Sequence, residues 1–73
     1  MPRVSWSIDG VEVPREKYEA FVESLKPAGG WFCEKTSEGG NTGQDLEDAS
    51  GVLYEQLSVT EREGSRHSIR RKN

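Results

Sequence analysis

The sequence predicts an α+β fold, with one amphipathic helix packed on a small antiparallel β-sheet. Three observations carry this. Residues 4–8, VSWSI, alternate strictly, with Val4, Trp6 and Ile8 on one side and Ser5 and Ser7 on the other, the period of a half-buried strand. The stretch PREKYEAFVESLK puts Tyr18, Phe21, Val22 and Leu25 at i, i+3, i+4 and i+7, a single helical stripe. Two β-rich stretches, 52–62 and 65–71, flank Glu63-Gly64-Ser65, a plausible hairpin turn.

Each element then follows in chain order. Asp9-Gly10 after the first strand is a two-residue hairpin signal, because glycine accepts positive φ. Residues 11–13, VEV, pair back as a short second strand. Pro14 suits the first turn of a helix, where a missing N–H costs nothing. Pro27 and Gly29-Gly30 stop that helix. Residues 31–35, WFCEK, read as a strand, with Trp31 and Cys33 on one face and Phe32 and Glu34 on the other. The stretch 36–51, TSEGGNTGQDLEDASG, holds four glycines, four acids and one large apolar residue, Leu46. It is expected to be a long mobile loop, with a local turn near 45–48. In 52–62, Leu53, Leu57 and Val59 share a parity with Glu55, and Val52, Tyr54, Ser58 and Thr60 take the other. In the last strand Ile69 stands alone as a large apolar residue. The expected order is β-β-α-β-loop-β-β in one domain over residues 1–73, with 70–73 a frayed basic terminus.

Seventy-three residues bury a marginal core. Hydrophobic and charged residues each make up 32% of the chain, so a small core rather than full disorder is expected. Charge is uneven. Residues 1–61 carry five basic and twelve acidic side chains, a balance of −7, and residues 62–73 carry five basic and one acidic, a balance of +4. An acidic body repels the DNA backbone and suits a basic protein partner. The single cysteine, Cys33, excludes an internal disulfide and points to a reducing cytoplasm. No apolar run reaches membrane-spanning length, and MPRVSWSIDG lacks the apolar stretch of a signal peptide.

The chemistry-bearing residues are few. His67 lies among basic residues, and no Ser/Asp/Cys constellation can be assigned to it from spacing, so a structural or surface histidine is the better reading. Cys33 between aromatic and charged neighbours reads as a small buried strand residue rather than a nucleophile. One Cys and one His do not make a zinc site. DLEDASGVLYE departs from the calcium-loop pattern, and GGNTGQD lacks the Lys-Ser/Thr and helix of a phosphate loop. No enzyme, cofactor or metal is expected. Of Trp31 and Phe32, one must face away from the helix, either as an exposed interface anchor or beneath the loop 36–51. The basic end, with Arg66, Arg70 and Arg71, reads first as a solvated edge strand, where charges guard against aggregation. A protein contact comes second. Nucleic-acid binding comes third, because aromatic interleaving is missing.

The segment SIDGVEVPREKYEAFVESL, residues 7–25, resembles in type the front end of many short phage and bacterial proteins, a likeness that covers residues 4–26. In length and character the whole chain is similar to the small phage-encoded inhibitors of host bacterial RNA polymerase. That resemblance implies a protein that binds the polymerase near the N-terminus of its β′ subunit, shuts off host promoters and promotes antitermination in the host cytoplasm. The expectation is a non-catalytic, monomeric protein-binding modulator, with Trp31, Phe32, Arg66, Arg70 and Arg71 as contacts. The alternative is a small nucleic-acid-binding module using the basic C-terminal segment.

Overall fold

A computed structural model describes residues 3–37 and 39–72. The elements are β1 (Arg3–Ile8), β2 (Val11–Val13), α1 (Arg15–Glu23), β3 (Lys26–Thr36), β4 (Gly39–Glu47), β5 (Leu53–Glu61) and β6 (Gly64–Arg71). All the strands join one six-stranded sheet in the order β2-β1-β6-β5-β4-β3.

The first hairpin forms as its turn chemistry demands. Asp9 and Gly10 take φ of 51° and 83°, the left-handed pair of a type I′ turn. Asp9 Oδ1 then accepts the Arg71 backbone N–H at 2.9 Å, tying the hairpin to the end of the chain. The helix begins after Pro14, whose ψ of 152° is still extended. It ends at Glu23, where Ser24 Oγ donates to the Phe21 carbonyl at 2.6 Å. Pro27 disfavours helical geometry at Lys26, and the chain passes directly into β3.

The sheet departs from the expected all-antiparallel pattern in one place. β1 pairs parallel with β6, Trp6 opposite His67 and Ile8 opposite Ile69. The reason is topological. β3 to β6 form a meander of antiparallel neighbours, and its last strand lands beside β1 running the same way. With one nine-residue helix against six strands, the molecule is mostly β.

Residues 36–51 are the larger correction. The stretch expected to be a loop contains β4, paired with β3 on one side and β5 on the other. Its glycines fit a crowded strand rather than a loose one. A Cβ on Gly39 would meet the Thr60 carbonyl, and one on Gly43 would meet the Phe32 ring. Leu46 enters the core at 3% exposure. The basic end is corrected likewise: Arg70 and Arg71 pair with Glu55 and Tyr54 inside β6, and the Lys72 N–H donates to the Leu53 carbonyl. Asn73 lies outside the described residues.

The β4–β5 turn is built on one carboxylate. Asp48 Oδ1 accepts from Ser50 N–H at 2.8 Å, Ser50 Oγ at 2.7 Å and Val52 N–H at 3.0 Å. The bond from Ser50, followed by that from Val52, holds the Asp48 pKa below its ordinary value. A lowered folded-state pKa contributes stability above the ordinary carboxylate range, lost as pH falls through the folded value. Asp48→Asn keeps the acceptor oxygen but not the charge. The urea midpoint of the native chain should therefore fall further between pH 7 and pH 3 than that of Asp48→Asn. Equal falls would deny the turn this role.

The core is small. Tyr18, Leu25, Leu46 and Ile69 are buried, with Trp6, Ile8, Val13, Phe21, Val22 and Tyr54 packed against them. Tyr18, Phe21, Val22 and Leu25 are the stripe expected from the sequence. The helix connects β2 at one edge to β3 at the other, so it crosses a single face. Nine residues reach about 14 Å, whereas six strands are about 24 Å wide. The helix cannot cover the whole sheet, and every residue of β3 is exposed.

Candidate interaction surface

On the helix-covered face, a polar chain runs beneath Tyr18. Gln56 Nε2 donates to Tyr18 Oη at 3.1 Å and to Ser58 Oγ at 2.8 Å. Ser58 Oγ lies 2.9 Å from His67 Nδ1. Since Ser58 Oγ already accepts from Gln56, its own proton is free to go to His67. The His67 ring stacks on Trp6 at 5.9 Å between centroids and 18° between planes. The lone Ser–His pair is thus packed between aromatic rings. Burial raises the Tyr18 pKa above its ordinary 10.0, with the Gln56 bond opposing. A raised folded-state pKa means stability that is present below pH 10 and lost as pH rises through the folded value. Alkaline unfolding monitored by circular dichroism should therefore begin above pH 10 and should be shallower in Tyr18→Phe. Identical alkaline limbs would show that Tyr18 is not the titrating group.

The opposite face of the sheet meets no helix. One cross-strand row consists of Ser7, Ser68, Leu57, Gly43 and Phe32. A second consists of Ser5, Arg66, Val59, Asn41 and Glu34. A third holds Arg70, Glu55 and Asp45. Leu57 and Val59 are half-buried, whereas Phe32 and Leu53 are 42% and 41% exposed. The more apolar parity of β5 therefore faces away from the core, while Tyr54, Gln56 and Ser58 face the helix. The glycine at 43 lets the Phe32 ring lie across β4.

Charge divides this face by strand. β6 contributes Arg66 and Arg70, with Lys72 following, beside the small Ser5 and Ser7 of β1. β4 and β3 contribute Asp45 and Glu34, while Glu47 stands opposite Lys26. Two ion pairs occur here within the chain, Arg66 to Glu61 at 2.9 Å and Lys72 to Asp45 at 3.0 Å. Exposed pairs of this kind contribute little to stability.

The five residues expected to bind a partner are not brought together. Phe32, Arg66 and Arg70 lie on the uncovered face. Arg71 shares the other parity with Ile69. Trp31 lies where the β3–β4 register shifts between Gly29 and Phe32, and it is 70% exposed. Cys33, expected to be buried, is exposed, because the helix stops short of β3. Leu53, Leu57 and Val59 were missing from the expected contacts. Their shared parity is visible in the sequence, but the face that the helix takes is not.

Among the described residues, no group of three or more His, Cys, Asp or Glu side chains could hold a metal ion, and no helix is long and apolar enough to cross a membrane. No family model, curated protein or solved structure matches the chain.

Proposed function

We propose that this chain is a non-catalytic protein-binding modulator whose target is bacterial RNA polymerase, at the N-terminal region of the β′ subunit. It would inhibit host transcription initiation and promote antitermination in the bacterial cytoplasm. The target follows from the resemblance given above. The binding mode rests on one observation: β3 is an uncovered edge strand of eleven exposed residues carrying Trp31 at 70% exposure. An unpaired edge offers alternate backbone N–H and C=O groups to an extended partner segment. A large exposed aromatic supplies the buried anchor that such interfaces need. The other edge, β2, has only three residues.

The test uses purified bacterial RNA polymerase. The native chain is expected to bind it, to reduce promoter-dependent transcripts and to increase readthrough of a terminator. Trp31→Ala should weaken binding at least tenfold, in the range of an interface anchor, with unchanged circular dichroism. Absence of binding to polymerase would overturn the target, and full binding by Trp31→Ala would overturn the mode.

The second reading is a nucleic-acid module using the basic C-terminal segment, favoured by Arg66, Arg70 and Lys72 lying along one side of the sheet. Glu61 and Asp45 already pair with two of these, and Glu55 stands opposite the third. Salt separates the readings. Phosphate contacts lose about 0.9 log units of affinity per log of salt for each contact on duplex DNA, and an edge-strand interface anchored by Trp31 would show a shallow slope.

A further inference from the structure

We propose that the uncovered sheet face is self-complementary and pairs with a second copy of this chain, face to face, about a two-fold axis running along β5. This does not rest on the polymerase reading, and it uses the sheet face rather than the β3 edge.

The strand order contains the symmetry. β5 is flanked by β6 and β4, and beyond them by β1 and β3. A two-fold axis along β5 therefore lays β6 of one copy over β4 of the other, and β1 over β3. In the central row, Leu57 meets its own copy and Gly43 meets Ser68. The large Phe32 ring of one copy, lying across Gly43, comes over the small Ser68 and Ser7 of the other. In the next row Val59 meets its copy, and Glu34 comes over Ser5 within reach of Arg66. In the third row Arg70 comes over Asp45, twice by symmetry. Basic strands thus fall on acidic strands, bulky residues on small ones, and apolar residues on the axis. An isologous contact requires this self-complementarity. Glu55 and Glu61 are the unfavourable members, and Glu61 is offset by its own Arg66. Glu55 meets its own copy on the axis, flanked by the two Arg70 side chains.

The area is enough for a modest dimer. Five strands about 19 Å wide and about 26 Å long present about 500 Å² per copy, or about 1,000 Å² in total, the smallest area expected of a specific interface. Sheets packed this way lie about 10 Å apart. A micromolar dissociation constant is expected.

Sedimentation equilibrium of the isolated chain, from 1 to 200 μM, tests this. The expected mass rises from that of one chain to that of two. Leu57→Asp should leave a single-chain mass throughout, with native circular dichroism because Leu57 faces away from the core. Arg70→Glu and Asp45→Lys should each weaken association tenfold or more, since like charges then face across the interface. Mixed in equal amounts, these two variants should recover it, because each introduced charge then meets its opposite. That recovery decides the matter even if Leu57→Asp fails to fold. A single-chain mass for the native protein at 200 μM would overturn the proposal. So would a dimer indifferent to these substitutions, or polymerase binding abolished by Leu57→Asp in a chain that never self-associates, which would assign the face to that partner.

Discussion

Replacing Ile69 with alanine is expected to leave the protein unfolded or nearly so. Ile69 is fully enclosed at 0% exposure, and it lies between Ile8 of β1 and Gln56 of β5. It joins the parallel pair to the meander and lies beneath the helix. Truncating an enclosed isoleucine to alanine costs about 3–4 kcal/mol through lost burial and the cavity left behind. A domain of this size holds about 4–11 kcal/mol in all, and a core of four buried residues places it near the lower end. The urea midpoint should fall to near zero. Deletion of residues 68–73, which removes Ile69 altogether, should abolish the folded circular dichroism spectrum. A truncated chain that folds would show that β6 ends before Ile69 and that the terminal basic residues are an appendage.

Tyr18 is the second expected breaking point, for a different reason. It is 6% exposed and is the one helix residue with a side-chain hydrogen bond to the sheet among the described residues. Its hydroxyl donates to the Ser68 carbonyl at 3.4 Å and accepts from Gln56. Tyr18→Ala should cost about 3–5 kcal/mol, the range for removing a buried aromatic. Tyr18→Phe removes only the hydroxyl and should cost about 1 kcal/mol, because Gln56 keeps its bond to Ser58. The contrast is informative. Equal, large losses would mean that the polar chain beneath the helix dominates. Equal, small losses would mean that the helix is held chiefly by Phe21 and its edge-on contact with the Tyr54 ring at 5.3 Å.

Both substitutions act on residues that are legible in different degrees. Tyr18 was marked by its place in a four-residue apolar stripe, and the helix buries that stripe. Ile69 stood alone in a polar strand, and nothing local set its burial. Only the arrival of β6 between β1 and β5 encloses it. The candidate surface divides in the same way. Trp31 is recognisable in the sequence as one of two adjacent strand aromatics, one of which must face away from the helix. Leu57 and Val59 were visible as a parity, but the choice between that parity and Tyr54-Gln56-Ser58 belongs to the whole sheet. Pairing with β6 puts Gln56 in the row of Ile69, and that row faces the helix. Leu57 is thereby committed to the open side.

What the residues determine by themselves is what nearest neighbours can enforce. Asp9-Gly10 sets the first hairpin through positive φ, the period of Tyr18, Phe21, Val22 and Leu25 sets the helix, and Pro27 sets its limit. The antiparallel pairing of 52–62 with 65–71 follows from the turn between them. What only the tertiary structure decides is long-range. The glycines of 36–51 suggest a loop by their intrinsic preference. They form β4 because β3 and β5 supply hydrogen bonds on both sides, and because Gly39 and Gly43 leave room for the Thr60 carbonyl and the Phe32 ring. The parallel β1–β6 pair follows from the path of the meander, whose last strand lands beside β1 running the same way. The exposure of Cys33 follows from a nine-residue helix too short to cover six strands, and the uncovered face from that helix lying on one side of the sheet.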